Sequence, residues 1–199
     1  KDMKLMEDFS GIVNWDNMFK YSEIFQDNTP TKWAFVEDFF YDDFYEKLYE
    51  TYPKSDQSWE TVNSQDKARL GKPWKNNSDG TVAIDDDPNY SEEWNKLLRY
   101  FRSEEFNSNL RKFSSVPITG LKHFSYMLLR RGGFQLPHIH NSGPSTLVCM
   151  LYFSKNWIKG DPGGTYLTPE EDESLMQFEP YNLNNSMLIF QDGPHAGHG

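Results

Sequence analysis

The period of the apolar positions changes near the middle of the chain. In "DDFYEKLYETYP", Phe44, Leu48 and Tyr52 recur every fourth residue. That spacing predicts one apolar helix face, closed by Pro53. "SEEWNKLLRYFRSEEFNSNLRKF" (91–113) places Trp94, Leu97, Leu98 and Phe101, then Phe106, Leu110 and Phe113, at helical intervals. A break is expected near Ser103. Ser91 suits an N-cap, and Glu92 and Glu93 suit a first turn, where the amide dipoles favour negative charge. The stripe itself reads as packing. "WAFVEDFF" (33–40) reads as a short strand running into a helix. Residues 1–31 show no convincing period. Residues 54–90 are polar and rich in Asp, Asn, Ser and Gly. They predict a long loop or flap, a candidate lid or an ordinary surface loop.

After Pro117 the runs shorten and fill with branched and aromatic residues: 121–131, 134–140, 145–153, 164–168 and 185–191, each bounded by Gly, Pro, Asn or Asp. This is the pattern of a β-sandwich or small barrel. "STLVCMLYF" is almost continuously apolar, so both of its faces are expected to be buried. The fold class expected is mainly β with N-terminal α-helices, in one domain: a helical and loop part over 1–116 and a β core over 117–199.

Composition narrows the function classes. Of 199 residues, 37% are hydrophobic and 16% aromatic, enough for a core dominated by Phe and Tyr. The formal net charge of -10 opposes broad contact with nucleic acid or anionic membrane, because phosphate binding needs a basic surface. The single cysteine, Cys149, reads as a small buried hydrophobe and permits no internal disulfide. No signal peptide or membrane-spanning apolar run is evident, so a cytoplasmic protein is expected. The first residue is Lys1 and not Met, which predicts a processed or trimmed N-terminus.

The chemistry concentrates in five histidines, all in the second half: His123, His138, His140, His195 and His198. Side chains two apart on a strand face the same side. His138 and His140 in "LPHIHNSG" can therefore converge on one ion, and imidazole is a good ligand for first-row metals. A solvent-facing strand edge explains the pair about as well. "HAGH" (195–198) follows another apolar strand, so one of its histidines could complete a site. His123 stands early in its strand without a partner and reads as structural. No nucleophile elbow or phosphate-cradling loop is present.

Taken in order, "RRGGFQLPHIH", "STLVCMLYFSKNW", "GDPGGTYL" and "NSMLIFQDGPHAGHG" resemble the core of the Fe(II)/2-oxoglutarate-dependent dioxygenases, in particular their prolyl-hydroxylase-like branch. "WAFVEDFFYDDFYEKLYETYP" is similar to the strand-and-helix entry of that branch. The resemblance implies a double-stranded β-helix (jelly-roll, cupin-like) core. It implies Fe(II) held by His138, His140 and His198, with 2-oxoglutarate as cosubstrate, O2, and a small-molecule or peptide substrate. His198, eight residues beyond Phe190, suits the family spacing better than His195. Tyr152 matches the strand tyrosine that hydrogen-bonds the distal carboxylate of 2-oxoglutarate; a core aromatic is the plainer reading of it. Trp157 and the Gly163–Gly164 turn match structural features.

Two departures stand out. His140 occupies the place of the family's Asp, so the site would lack one negative charge. His140 could ligate, swing aside, or belong to a site for another metal or for none. The family also carries a basic residue on a further strand, about nine residues past the last histidine. The chain stops at Gly199, so the core is expected to lack a C-terminal strand, with a continuation beyond it. Lys155 and Arg130 are candidate substitutes for that cation. The alternatives are a cupin-like metal-binding protein or pseudoenzyme, or a three-histidine dioxygenase that uses no 2-oxoglutarate.

Overall fold

The computed structural model describes residues 6–199 apart from 75, 76, 80, 84 and 141. Lys1 therefore lies outside the described residues, as do four positions of the polar stretch 54–90. Two antiparallel sheets carry helices on one side. Short helices α1 (Trp15–Phe19) and α2 (Ser22–Asp27) precede strand β1 (Trp33–Glu37) and helix α3 (Asp42–Glu50). Strands β2 (Glu60–Asn63) and β3 (Lys67–Pro73) follow, then helices α4 (Glu92–Phe101) and α5 (Glu104–Ser114). Strands β4 (Ser125–Leu128), β5 (Phe134–Gln135), β6 (Leu147–Phe153) and β7 (Asn184–Gln191) complete the order.

The helices form where sequence and backbone needs coincide. The Ser91 hydroxyl accepts from the Trp94 amide at 3.2 Å and the Ser103 hydroxyl from the Phe106 amide at 3.1 Å, so each helix starts on a side-chain cap. The break near Ser103 is thus a second N-cap. α1 and α2 escape periodic reading because each spans little more than a turn. Each buries a single anchor, Met18 and Phe25 respectively.

Sheet one has the order β1-β7-β6. Its alternation divides the core. Ala34, Val36, Met187 and Ile189 face the helices with Leu48, Trp94, Leu97, Leu98 and Phe113. Phe35, Leu188 and Phe190 face the other way, with Leu167, Ala196 and the half-buried Val148, Met150 and Tyr152. β7 is central and buried on both faces. β6 is the edge strand, which corrects the expectation of two buried faces: its residues are half-buried and Cys149 is exposed.

Sheet two has the order β2-β3-β4, with β5 also on β3. This corrects the long-loop expectation, because 60–73 is a hairpin. Its polar composition hid it: β2 and β3 bury few side chains, and a polar strand carries no apolar alternation. The expected strand at 164–168 is reduced to a bridge of Leu167 to Phe178 and His198.

One residue ties the layers. The register of β6 against β7 slips between Tyr152 and Phe153, leaving Asn185 as the extra residue of a bulge. Asn185 takes φ of 58°, and its buried amide accepts from the Phe40 amide at 3.0 Å and donates to the Phe40 carbonyl at 2.9 Å. Asn185→Ala leaves both backbone groups unpaired in a dry interior, each costing about 1–3 kcal/mol. Chemical denaturation is expected to show a loss of about 2–4 kcal/mol. A loss below about 0.5 kcal/mol would mean that water or a shifted backbone replaces both bonds.

Candidate metal centre

The site is built on backbone pairing. His138 and His198 form an antiparallel bridge, the His138 amide donating to the His198 carbonyl at 2.8 Å and the His198 amide to the His138 carbonyl at 3.0 Å. On its other side the 197–199 segment pairs with 166–168: the Thr168 amide donates to the Gly197 carbonyl at 2.9 Å and the Tyr166 amide to the Gly199 carbonyl at 2.9 Å. That close approach explains the glycine after the alanine in "HAGHG". A Cβ at position 197 would lie 2.1 Å from the Thr168 carbonyl oxygen, a clash with backbone that no rotamer relieves.

With the backbones so joined, three imidazoles converge. Nε2 of His140 lies 3.0 Å from Nε2 of His138 and 2.9 Å from Nε2 of His198. The ligand atoms of His138, His140 and His198 all lie within 4.8 Å of one another. The rings of His140 and His198 stack at 4.7 Å, and Phe190 packs on His198 at 4.7 Å. His198 is buried, His138 half-buried and His140 at the exposed rim.

The donor set fits a divalent cation. Nδ1 of His198 lies 2.9 Å from the Ala196 carbonyl and Nδ1 of His138 lies 3.2 Å from the Leu136 carbonyl. A carbonyl only accepts, so Nδ1 of His198 carries the proton and its Nε2 is left with a lone pair, whereas Nδ1 of His138 also meets the Gln135 amide nitrogen, a donor, at 3.1 Å and its contacts select neither tautomer. Lone pairs aimed at one point repel unless a cation lies between them. Burial pushes the His198 pKa down to about 4, with the neighbouring His138 and His140 adding to it and the Ala196 contact opposing. Burial, then His138, also lowers that of His140. Both rings are therefore neutral near pH 7, the form that binds metal.

Asp192 escaped sequence reading, because "QDGP" looks like an ordinary turn after a strand. It is only 2% exposed. One carboxylate oxygen accepts from the Ser142 amide and the other from the Gly193 amide at 2.9 Å. It thus joins the segment carrying His138 and His140 to the one carrying His198, and its charge favours cationic character at both His140 and His198. Gln135 was missed too; its amide nitrogen lies 3.1 and 3.2 Å from the two ring nitrogens of His138.

The other expected residues divide. Tyr152 lies on the β6 face packed against Phe190, and its buried hydroxyl has no hydrogen-bond partner among the described residues. Lys155 is drawn to the helix side. Its ammonium donates to both Glu46 carboxylate oxygens at 2.7 and 2.6 Å and lies 4.3 Å over the Tyr49 ring. The structure does not bring it to the histidines. Arg130 is exposed and donates to the Ser55 hydroxyl. His195 and His123 are exposed and outside the cluster.

No protein-family model matches the chain, and no curated protein matches it in sequence. Among solved structures it is similar to a prolyl-4-hydroxylase from Pseudomonas putida, with a TM-score of 0.64 and 11% identity over 91% of this chain and 89% of that one. No helix among the described residues is long and apolar enough to cross a membrane.

Two outcomes check this geometry. Asp192→Ala is expected to weaken divalent-metal affinity by about 10- to 100-fold, read by competition with a chromophoric chelator; unchanged affinity would remove Asp192 from the site. The second concerns acid. An unfolded imidazole gains its proton below about pH 6.5, whereas folded His198 gains it only near pH 4. The unfolded state binds more protons between those values, so stability is full above pH 6.5 and falls toward pH 4. The metal-free protein is expected to lose up to about 3 kcal/mol over that window, and His198→Gln to flatten the slope. An unchanged slope in that variant would locate the acid sensitivity elsewhere.

Proposed function

We propose that this chain is an Fe(II)- and 2-oxoglutarate-dependent oxygenase of the prolyl-hydroxylase type, with a double-stranded β-helix core and a small-molecule or peptide substrate. The observation that carries the reading is the convergence of three imidazole Nε2 atoms, that of His198 in a tautomer held by the Ala196 carbonyl. The fold-level likeness to the prolyl-4-hydroxylase agrees with it. Fe(II) held by His138, His140 and His198 would supply oxidative decarboxylation of 2-oxoglutarate to succinate and CO2 with hydroxylation of a C–H bond.

The chain's own groups prepare that chemistry. His138, His140 and His198 would hold the ion from one side, which would leave room for cosubstrate and oxygen as in the two-histidine, one-carboxylate arrangement. The replacement of a carboxylate by neutral His140 leaves the ligand set without its own negative charge. Buried Asp192, held by the Ser142 and Gly193 amides, places a carboxylate behind the ligands instead. Burial raises the Tyr152 pKa, with Thr165 beside it opposing, so the hydroxyl keeps its proton. A buried donor without a partner suits the distal carboxylate of 2-oxoglutarate. The apolar wall of Phe35, Leu188, Phe190 and Met150 keeps that side of the site dry.

A second reading has specific support: His140 itself favours a three-histidine dioxygenase that uses no 2-oxoglutarate. Anaerobic Fe(II) loading, then 2-oxoglutarate and O2, separates the two. Succinate release above background is expected, and its absence with iron bound supports the second reading. His138→Ala is expected to abolish iron binding and succinate together; stoichiometric iron in that variant would overturn the site. His140→Asp is expected to preserve or raise turnover, whereas complete loss of metal would deny His140 the role of carboxylate stand-in.

A further inference from the structure

A cleft of about 190 Å³ opens where the N-terminal segment meets the start of α3 and the corner between α4 and α5. Backbone pairing builds one wall of it. The Asn14 amide donates to the Phe39 carbonyl at 3.0 Å and the Tyr41 amide to the Ile12 carbonyl at 3.0 Å, so the chain entering α1 runs beside the chain entering α3. Trp15 and Tyr41 follow directly from that pairing, and both line the cleft with Phe9 and Tyr100. The Trp15 indole donates to the Tyr100 hydroxyl at 2.7 Å, and the Phe9 and Tyr100 rings lie 5.0 Å apart. Tyr41 is 43% exposed, so the aromatic lining is open to solvent on that side. The cleft is separate from the histidines. Val13 and Tyr100 belong to the helix-side core, whereas His198 packs on Phe190, which faces the other way.

The charge around those rings has one sign. Asp16 and Glu105 line the cleft, and no Lys or Arg does. Neither carboxylate enters an ion pair among the described residues. Glu105 instead lies 3.5 Å from the Tyr100 hydroxyl, so its charge sits against the aromatic wall. Ring faces carry the negative part of the aromatic quadrupole and attract a cation, and free carboxylates beside them add to that attraction. A lysine ammonium is strongly hydrated and has three N–H donors to satisfy. A trimethylated ammonium has none. It spreads its charge over methyl groups that pack on the rings, which is the chemistry that aromatic cages select.

We propose that this cleft binds a trimethylammonium group, held by the rings of Phe9, Trp15 and Tyr41 and by the charges of Asp16 and Glu105. The group has two sources, a free quaternary amine or a methylated lysine side chain. The site needs no metal and does not depend on the function read from the histidines. Calorimetric titration of the full chain tests it. The probes are choline, the neutral alcohol in which carbon replaces the choline nitrogen, and one short peptide carrying either trimethyl-lysine or lysine. The variants are Tyr41→Ala and Glu105→Gln, both at exposed positions, with the exposed Tyr181→Ala as a control outside the cleft. Wild type is expected to bind choline roughly 10-fold or more tightly than the neutral alcohol. Each cleft variant is expected to lose roughly 3- to 10-fold in affinity, and the control to lose nothing. Tighter binding of the trimethyl-lysine peptide than of choline assigns the group to a lysine side chain; binding of choline alone assigns it to a free amine. The proposal is overturned if neither choline nor the trimethyl-lysine peptide binds, or if both cleft variants bind as wild type does. It is equally overturned if the neutral alcohol matches choline, or if the lysine peptide matches its trimethylated form, the sign of general attraction to an acidic surface.

Discussion

The pair of backbone hydrogen bonds between His138 and His198 is the constraint on which the rest depends. Imidazoles sixty residues apart meet because their main chains are adjacent strands in all but length. Gly197 permits the neighbouring approach to Thr168, and Asp192 fastens the two flanking loops through amides. The His198 ring then has little freedom: it donates to the Ala196 carbonyl, which fixes where its lone pair points. Geometry of this kind is set before a metal arrives, so binding spends little of its free energy on ordering the site.

The supporting layers follow from the same demand. β7 is buried on both faces and bonded on both edges, which makes it the rigid spine from which the 192–198 segment departs. Its helix-facing residues lock into a large aromatic cluster, while its other face ends at Phe190 against His198. The two core clusters thus have different tasks. One fastens the sheet to α3, α4 and α5, and the other forms the apolar side of the site.

Much of this was legible in the sequence. The capped helices could be read because apolar spacing, Ser91 and Ser103 gave concordant signals. The histidine cluster could be read because residues two apart in extended chain share a face and because "HAGHG" follows an apolar strand, although the strand expected over 134–140 stops at Gln135 and His138 keeps only a bridge. What escaped has physical reasons. The 60–73 hairpin is polar and half-exposed, so no alternation betrays it. β6 is as apolar as a central strand yet pairs with β7 alone among the described residues, because composition does not report pairing. Lys155 has the right charge, but sequence could not show that Glu46 would take it. Asp192 acts through main-chain amides, a partnership without a side-chain signature.

The central claim is that three imidazoles, with no carboxylate among them, hold one metal ion. X-ray absorption on the Fe(II)-loaded chain under anaerobic conditions tests it most directly. The account predicts one iron per chain with a scattering pattern of three imidazole rings, reduced by one ring in His140→Ala. An iron bound by two rings or fewer in the wild-type chain, or a pattern unchanged in that variant, would contradict it.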